Sequence, residues 1–278
     1  MQTVTQNLLT LSVQGLPRLD AQLLVLHACG QAGANRAWLL VHDQQALTAE
    51  QQTLLNAAAQ QRLRGIPMAY ITGTRGFYGL ELAVDARVLD PRPDTETLVD
   101  WALALELTPN ARVLDLGTGS GAIALALAHA RPAWQVHAAD LSADALAVAQ
   151  LNAIRLNLAV QTHQGAWFNA LPSNVGPFDL IVGNPPYIAE GDPHLAALAH
   201  EPALALTSGA DGLDALRTIT SQAATHMRAG AWLLLEHGYN QAQAVQGLLV
   251  DAGFTQVLSR SDLGQNARCT GGQLALLR

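Results

Sequence analysis

Apolar positions recur at helical spacing through the first quarter of the chain. Leu8, Leu9 and Leu11, then Leu19, Leu23, Leu24 and Leu26, return every three or four residues, which predicts helices rather than strands. Thr48-Ala49-Glu50-Gln51 reads as a capping box, in which a threonine oxygen and a glutamine side chain satisfy each other's backbone donors. It opens a helix reaching Arg64, and Gly65 and Pro67 stop it. From Met68 to Val88 the pattern shortens into glycine-punctuated, partly aromatic segments, AYITGT, RGFYGLEL and VDARVL, which predict a β-hairpin. Pro91-Arg92-Pro93 then leads stiffly into a helix through Leu107, with Asp94 or Thr95 as its N-cap.

Beyond that point short apolar runs alternate with helical periodicity. Strands are expected over 112–116, 135–140, 160–163, 178–182 and 231–236, with helices over 121–130, 142–156, 211–227 and 240–252. Strands over 255–259 and 273–277 close the chain. Such alternation predicts an α/β, Rossmann-like architecture built on a mostly parallel, doubly wound sheet. Ligands of such sheets lie beyond the strands' carboxyl ends, where strand order reverses. The expected division is a helical bundle at 1–66, a hairpin linker at 67–88 and the α/β domain at 89–278.

Composition narrows the class. Half of the 278 residues are hydrophobic and 13% are charged, enough apolar surface for a sizeable core. No run of about 18 apolar residues and no cationic leader is present, so a cytoplasmic protein without a membrane is expected. Cys29 and Cys269 form no CxxC, the nine histidines show no HExxH spacing, and no GxSxG occurs. Neither a metal nor a serine-hydrolase site is expected. Net charge is −7, against a protein that grips a nucleic-acid backbone. Residues 1–75 carry five arginines against three carboxylates, a net of +2, which leaves −9 on the remainder.

Two stretches carry candidate chemistry. In Asp115-Leu116-Gly117-Thr118-Gly119-Ser120-Gly121, glycines follow a strand and open a helix, so backbone can approach a ligand and the helix N-terminus favours an anion. Asp140 lies 23 residues after Gly117, at the end of the next strand, where a carboxylate can accept from both ribose hydroxyls. The GxGxG spacing suits a nucleoside bearing an amino-acid carboxylate better than a dinucleotide, which describes S-adenosylmethionine. Trp167 is a candidate wall for the adenine. The second stretch is Phe178 to Tyr187, FDLIVGNPPY, an apolar strand cut short by Gly183 and two prolines. Asn184 offers a side-chain carbonyl, Pro185 a main-chain carbonyl and Tyr187 a flat ring, with Pro186 stiffening the turn. Two acceptors beside a ring suit a planar NH2 group on an amide or a base.

DLGTGSGAIALALA, AAD at 138–140, FDLIVGNPPYI and EPALALTSGADGL resemble the release-factor glutamine methyltransferases of the PrmC/HemK family. AYITGTRGFYGLEL and VLDPRPDTETLV extend the likeness over about 66–278, with the helical front end matching loosely. The resemblance implies a class I methyltransferase fold, with S-adenosylmethionine as methyl donor and S-adenosylhomocysteine as product. It implies as acceptor the amide nitrogen of the glutamine in the GGQ motif of class I peptide-chain release factors. Carried over by position, Gly117, Thr118, Gly119, Ser120, Gly121, Asp140, Trp167 and Asn184 would hold cofactor. Asn184, Pro185, Pro186 and Tyr187 would hold the glutamine. The sequence departs from the family at Asp90, where an aliphatic residue usually precedes PRP, and at Gly183, where serine often precedes NPPY. Gly271-Gly272-Gln273 spells GGQ within this chain and is expected to be a turn leading into a terminal strand. The same four NPPY residues would serve an exocyclic-amine methyltransferase of DNA or RNA, and a non-catalytic scaffold could keep the fold alone. Against DNA stand the negative charge and the want of a base-reading insertion.

Overall fold

A computed structural model describes residues 1–31 and 36–275. By contacts the chain divides into two units, Met1–Thr74 and Arg75–Arg278.

The first unit holds α1 (Val4–Val13), α2 (Arg18–Ala28), α3 (Ala37–Val41), α4 (Ala49–Leu63) and α5 (Met68–Thr72). Both ends of the expected capping box at Thr48 form, with Gln51 N donating to Thr48 Oγ1 at 3.2 Å. Leu11, Leu24, Val25, Leu39 and Leu55 bury together, each contributing roughly 1.5–3 kcal/mol. Cys29 is only partly buried at the edge of that core. AYITGT does not form a strand. Pro67 precedes α5, which buries Ala69 and packs Met68 and Ile71 against the helical core, so tertiary packing overrides a β-like composition. Arg75 falls into the second unit, where it donates to the Pro91 carbonyl at 3.0 Å. The first unit therefore keeps four arginines against three carboxylates, and one of the four, Arg62, pairs with Asp20 at 2.7 Å.

A hairpin follows, β1 (Thr74–Phe77) and β2 (Leu80–Ala83), joined through Tyr78 and Gly79, both at positive φ. Next come α6 (Glu96–Leu103), β3 (Arg112–Leu116), α7 (Ala122–Ala130), β4 (Gln135–Asp140), α8 (Ala143–Leu156), β5 (Val160–Gln164) and β6 (Phe178–Gly183). The chain closes with α9 (Asp214–Ala223), β7 (Met227–Glu236), α10 (Ala242–Asp251), β8 (Phe254–Ser261) and β9 (Ala267–Leu274). The seven-stranded sheet runs β5-β4-β3-β6-β7-β9-β8, parallel except for β9, which is antiparallel to both neighbours. Strand order reverses between β3 and β6, and there the cleft opens. Leu114, Leu116, Phe178, Ile181, Leu233 and Leu235 fill the core beneath it.

Several boundaries moved. The helix expected to Leu107 stops at Leu103, and the one expected over 211–227 gives way before Met227, which pairs with Phe178 as the first residue of β7. Gly271-Gly272-Gln273 is no turn. It lies inside β9, between β7 and β8. A Cβ on Gly271 would meet the Leu233 carbonyl at 2.8 Å and the Trp101 ring at 3.0 Å, so glycine is what the packing admits. Leu276 and Leu277, expected to end the last strand, lie outside the described residues.

Candidate active site

A cleft of about 330 Å³ opens over the carboxyl ends of the central strands, within the range of small-ligand sites. One wall is made by backbone. Gly117, Thr118, Gly119 and Ser120 follow β3 directly and line the cleft together with Asp140 and Trp167. Gly119 sits at φ +54°, and a Cβ there would meet nothing within 4 Å, so backbone is laid open to whatever the cleft holds. Gly119 N donates to Asp140 Oδ2 and Ser142 N to Asp140 Oδ1, each at 2.9 Å. These bonds aim the carboxylate and leave lone pairs on both oxygens. Burial raises its pKa, and those amides work against the shift. A Cβ on Gly117 would stand 3.6 Å from the Trp167 ring and 3.9 Å from the Asn184 carbonyl, so this glycine separates the two sides of the cleft. Gly121 lies outside the lining and serves packing instead: a Cβ there would press on Leu125 at 2.9 Å and Ala149 at 3.2 Å.

Beneath this wall Asp115 is fully buried. It accepts from Thr118 Oγ1 at 2.6 Å and Ala124 N at 3.2 Å, which joins the loop to the first turn of α7. Burial pushes its pKa up to about 7.

The opposite wall is made by side chains. Asn184 and Pro186 line the cleft, whereas Pro185 is buried and Tyr187 turns toward the core. Asn184 Nδ2 donates to Thr95 Oγ1 at 3.3 Å, and Asn184 Oδ1 accepts no hydrogen bond among the described residues. The Pro185 carbonyl is likewise without a donor among the described residues. Both acceptors are thus without a donor among the described residues, and Asn184 lines the cleft. Tyr187 Oη donates to Glu236 Oε1 at 3.3 Å, and the Tyr187 carbonyl accepts from Gln241 Nε2 at 3.0 Å. Burial is the first cause of the rise in the Tyr187 hydroxyl's pKa. Gly183 is held by its neighbour across the sheet, since a Cβ would stand 3.0 Å from the Leu116 carbonyl. A serine there would crowd β3.

Thr95, Glu236 and Arg92 escaped the sequence reading as site residues. Thr95 makes no side-chain cap for α6, because its hydroxyl is engaged by Asn184, 89 residues away. Glu236 ends an apolar strand, WLLLE, as Asp140 ends QVHAAD; that shared pattern was the available signal. Arg92 lines the cleft and bonds Glu201 at 2.5 Å, with Asp90 at 3.6 Å and Asp90 in turn 3.3 Å from Arg75. Asp90, which departs from the family pattern, is thereby buried between two arginines. The network ties the segment containing Glu201 to the loop before α6, and Pro202, Leu204, Ala205 and Thr207 of that segment close one side of the cleft. No cluster of metal ligands occurs among the described residues, and no described helix is long and apolar enough to cross a membrane.

Comparison with known proteins identifies relatives of the chain. The chain matches the family described as "PrmC N-terminal domain" over residues 4–73 and that described as "Methyltransferase small domain" over 95–209. It is 47% identical over 270 residues to a release factor glutamine methyltransferase of Xylella fastidiosa, covering 96% of each chain. A release factor glutamine methyltransferase of Bordetella pertussis is 48% identical over 263 residues, 94% of this chain and 96% of its own. Among solved structures, a methyltransferase from Pyrococcus furiosus aligns over 82% of this chain and all of its own, at 15% identity and a TM-score of 0.56. That likeness is one of fold.

Proposed function

The chain belongs to the release factor glutamine methyltransferases, and from that premise we propose how its own residues carry out the transfer. It methylates the glutamine of a release factor. The acceptor is the side-chain amide nitrogen of the GGQ glutamine in class I peptide-chain release factors. S-adenosylmethionine fits the backbone wall: Asp140 offers two carboxylate oxygens to ribose hydroxyls, Gly117 to Ser120 give close approach at a helix N-terminus, and Trp167 offers a ring to the adenine. Bound there, it supplies a methyl group made electrophilic by its sulfonium.

The harder partner is the nucleophile. An amide nitrogen shares its lone pair with the carbonyl, and the torsional barrier of about 18–20 kcal/mol measures that conjugation. Methylation localises the pair and builds positive charge on nitrogen. Asn184 Oδ1 and the Pro185 carbonyl accept the two N–H bonds and hold them more tightly as that charge grows, which lowers the barrier by differential binding. Tyr187, turned toward the core and bonded to Glu236, braces the turn that presents both acceptors. Once nitrogen is cationic its proton is acidic and leaves without a prior base.

The observation that carries this reading is the open pair of acceptors at Asn184 and Pro185, with the Asn184 NH2 already spent on Thr95. The described lining of the cleft belongs to the second unit, and the helical unit is proposed to dock the protein substrate. Mass spectrometry of a release factor incubated with the chain and S-adenosylmethionine tests both parts. One methyl on the GGQ glutamine, and none on duplex DNA, is the expected result. Labelled DNA with an unlabelled release factor would transfer the site to the exocyclic-amine reading. A variant lacking the first unit should lose methylation of the intact factor far more than methylation of a short GGQ peptide.

A further inference from the structure

Of the two acceptors on the side-chain wall, Asn184 is held through its own amide by Thr95. The Pro185 carbonyl is main chain, so whatever aims it must act on the turn itself. Pro186 has its φ locked by its ring, so the placement of Tyr187 passes back to Pro185 through few soft torsions. Tyr187 is fastened at both ends by the close of β7 and the segment after it. Its hydroxyl donates to Glu236 Oε1 at 3.3 Å, and its carbonyl accepts from Gln241 Nε2 at 3.0 Å. Just beyond, Ile188 N donates to the Leu206 carbonyl at 2.9 Å and Ser208 N to the Ile188 carbonyl at 3.0 Å.

Gln241 stands at the N-cap of α10, where a side chain ordinarily accepts from the first amides of the helix. It makes no such bond. Its Oε1 accepts instead from Gly238 N at 2.9 Å, and its own backbone N donates to the Gly238 carbonyl at 2.9 Å. Its Nε2 also reaches the Asp211 carbonyl at 3.4 Å. Gly238 presents an N–H to the carboxamide while Tyr187 and Asp211 present carbonyls, so it fits in one orientation only. Gly212 leaves it room. At φ +76°, a Cβ there would overlap the Tyr187 carbonyl and stand 2.9 Å from Gln241 Nε2. Gln241 itself lies outside the lining of the cleft.

We propose that Gln241 is a positioning residue for methyl transfer, holding the Tyr187 carbonyl so that the Pro185 carbonyl is aimed at the substrate amide. The inference rests on the two-acceptor reading of the cleft and deepens it. Gln241 touches neither cofactor nor acceptor; it fixes the turn that does.

Two substitutions of nearly the same shape test this in the full chain. Gln241→Met keeps the volume and removes both hydrogen bonds. Gln241→Glu, when ionised, still accepts from Gly238 N but has nothing to donate to Tyr187; when protonated it does both. The facing carbonyls raise the introduced carboxyl's pKa above the ordinary value of about 4.3. The titratable groups on the contacting segments, Tyr187, Glu236, His237, Asp211, Asp214 and Arg217, are common to variant and unmodified chain.

The readout is single-turnover transfer to a release factor, with both substrates saturating, per molecule competent to bind S-adenosylmethionine. Relative to the unmodified chain at each pH, Gln241→Glu should lose about ten- to hundredfold near pH 8, the cost of a buried acceptor left unmet. That ratio should recover as pH falls toward about 5.5. Gln241→Met should show the same loss at every pH, and both variants should keep the unmodified cofactor affinity by calorimetry. Full-rate transfer by Gln241→Met would overturn the proposal, as would a pH-independent ratio for Gln241→Glu or a loss of affinity that matches the loss of rate. Should Gln241→Glu be unfolded near pH 8 by circular dichroism, Gln241→Met decides, and a loss confined to its unfolded fraction would overturn the proposal. No transfer at all by the unmodified chain would instead overturn the reading beneath it.

Discussion

The two walls of the cleft are built from different materials. On the β3–β4 side, ligand-facing groups are backbone amides and one carboxylate, set by a loop of glycines within a few residues of one another. On the β6–β7 side they are drawn from the turn before α6 and the end of β6, Thr95, Asn184 and Pro186. A wall of backbone suits a cofactor whose shape never changes. A wall of side chains can be tuned in polarity, which is what discriminating an NH2 group requires. Each wall also keeps one fully buried acid, Asp115 under the first and Glu236 behind the second, both with pKa raised to about 7.

The comparison breaks most visibly at Asn184. Asn184→Ala should lose roughly 10²–10³ in transfer rate, about 3–4 kcal/mol by analogy with deleting an oxyanion-hole donor, while calorimetric affinity for S-adenosylmethionine falls only modestly. Near-normal turnover would reject the two-acceptor mechanism.

A comparable effect on stability is expected from the buried acid. Glu236 has its folded pKa raised from 4.5 to about 7, so the folded chain binds more protons in that window than the unfolded one. Its contribution to stability therefore falls as pH rises through the window, by about 3 kcal/mol. Chemical denaturation at several pH values should show Glu236→Gln with a flatter dependence than the unmodified chain. Parallel curves would mean that Glu236 titrates normally.

Smaller losses follow on the backbone wall. Asp140→Ala removes the proposed ribose acceptor and releases Gly119 N, and should weaken cofactor binding by about 1.5–3 kcal/mol with little change in circular dichroism. Gly119→Val should weaken binding too, because φ +54° strains any branched residue. Unchanged affinity in both would move the cofactor elsewhere. Smallest of all, Tyr187→Phe keeps the ring and loses only the bond to Glu236, so about tenfold in rate and nothing in affinity is expected from paired assays.

How much of this was legible follows the same division. The backbone wall could be read because its parts are consecutive: Gly117 to Ser120 and Asp140 declare themselves by spacing, and strand order put them at one edge. NPPY was legible as a pair of acceptors, but what holds it was not. Thr95 looks like an N-cap in sequence and becomes a partner of Asn184 only when α6 packs beside β6. Gly271-Gly272-Gln273 looks like a turn until its neighbours in the sheet leave no room for a Cβ. Met227 reads as the end of a helix, and its pairing with Phe178 makes it the start of a strand. In each case contacts distant in sequence overrode a local preference.

The central claim is that one wall binds the cofactor while the other acts on the acceptor. A double-mutant cycle on Asp140→Ala and Asn184→Ala, reading cofactor affinity and single-turnover transfer at saturating cofactor, tests it most directly. The account predicts that each loss is the same in either background, within about 0.5 kcal/mol. A coupling well above that, with Asn184→Ala erasing the affinity lost at Asp140, would contradict it.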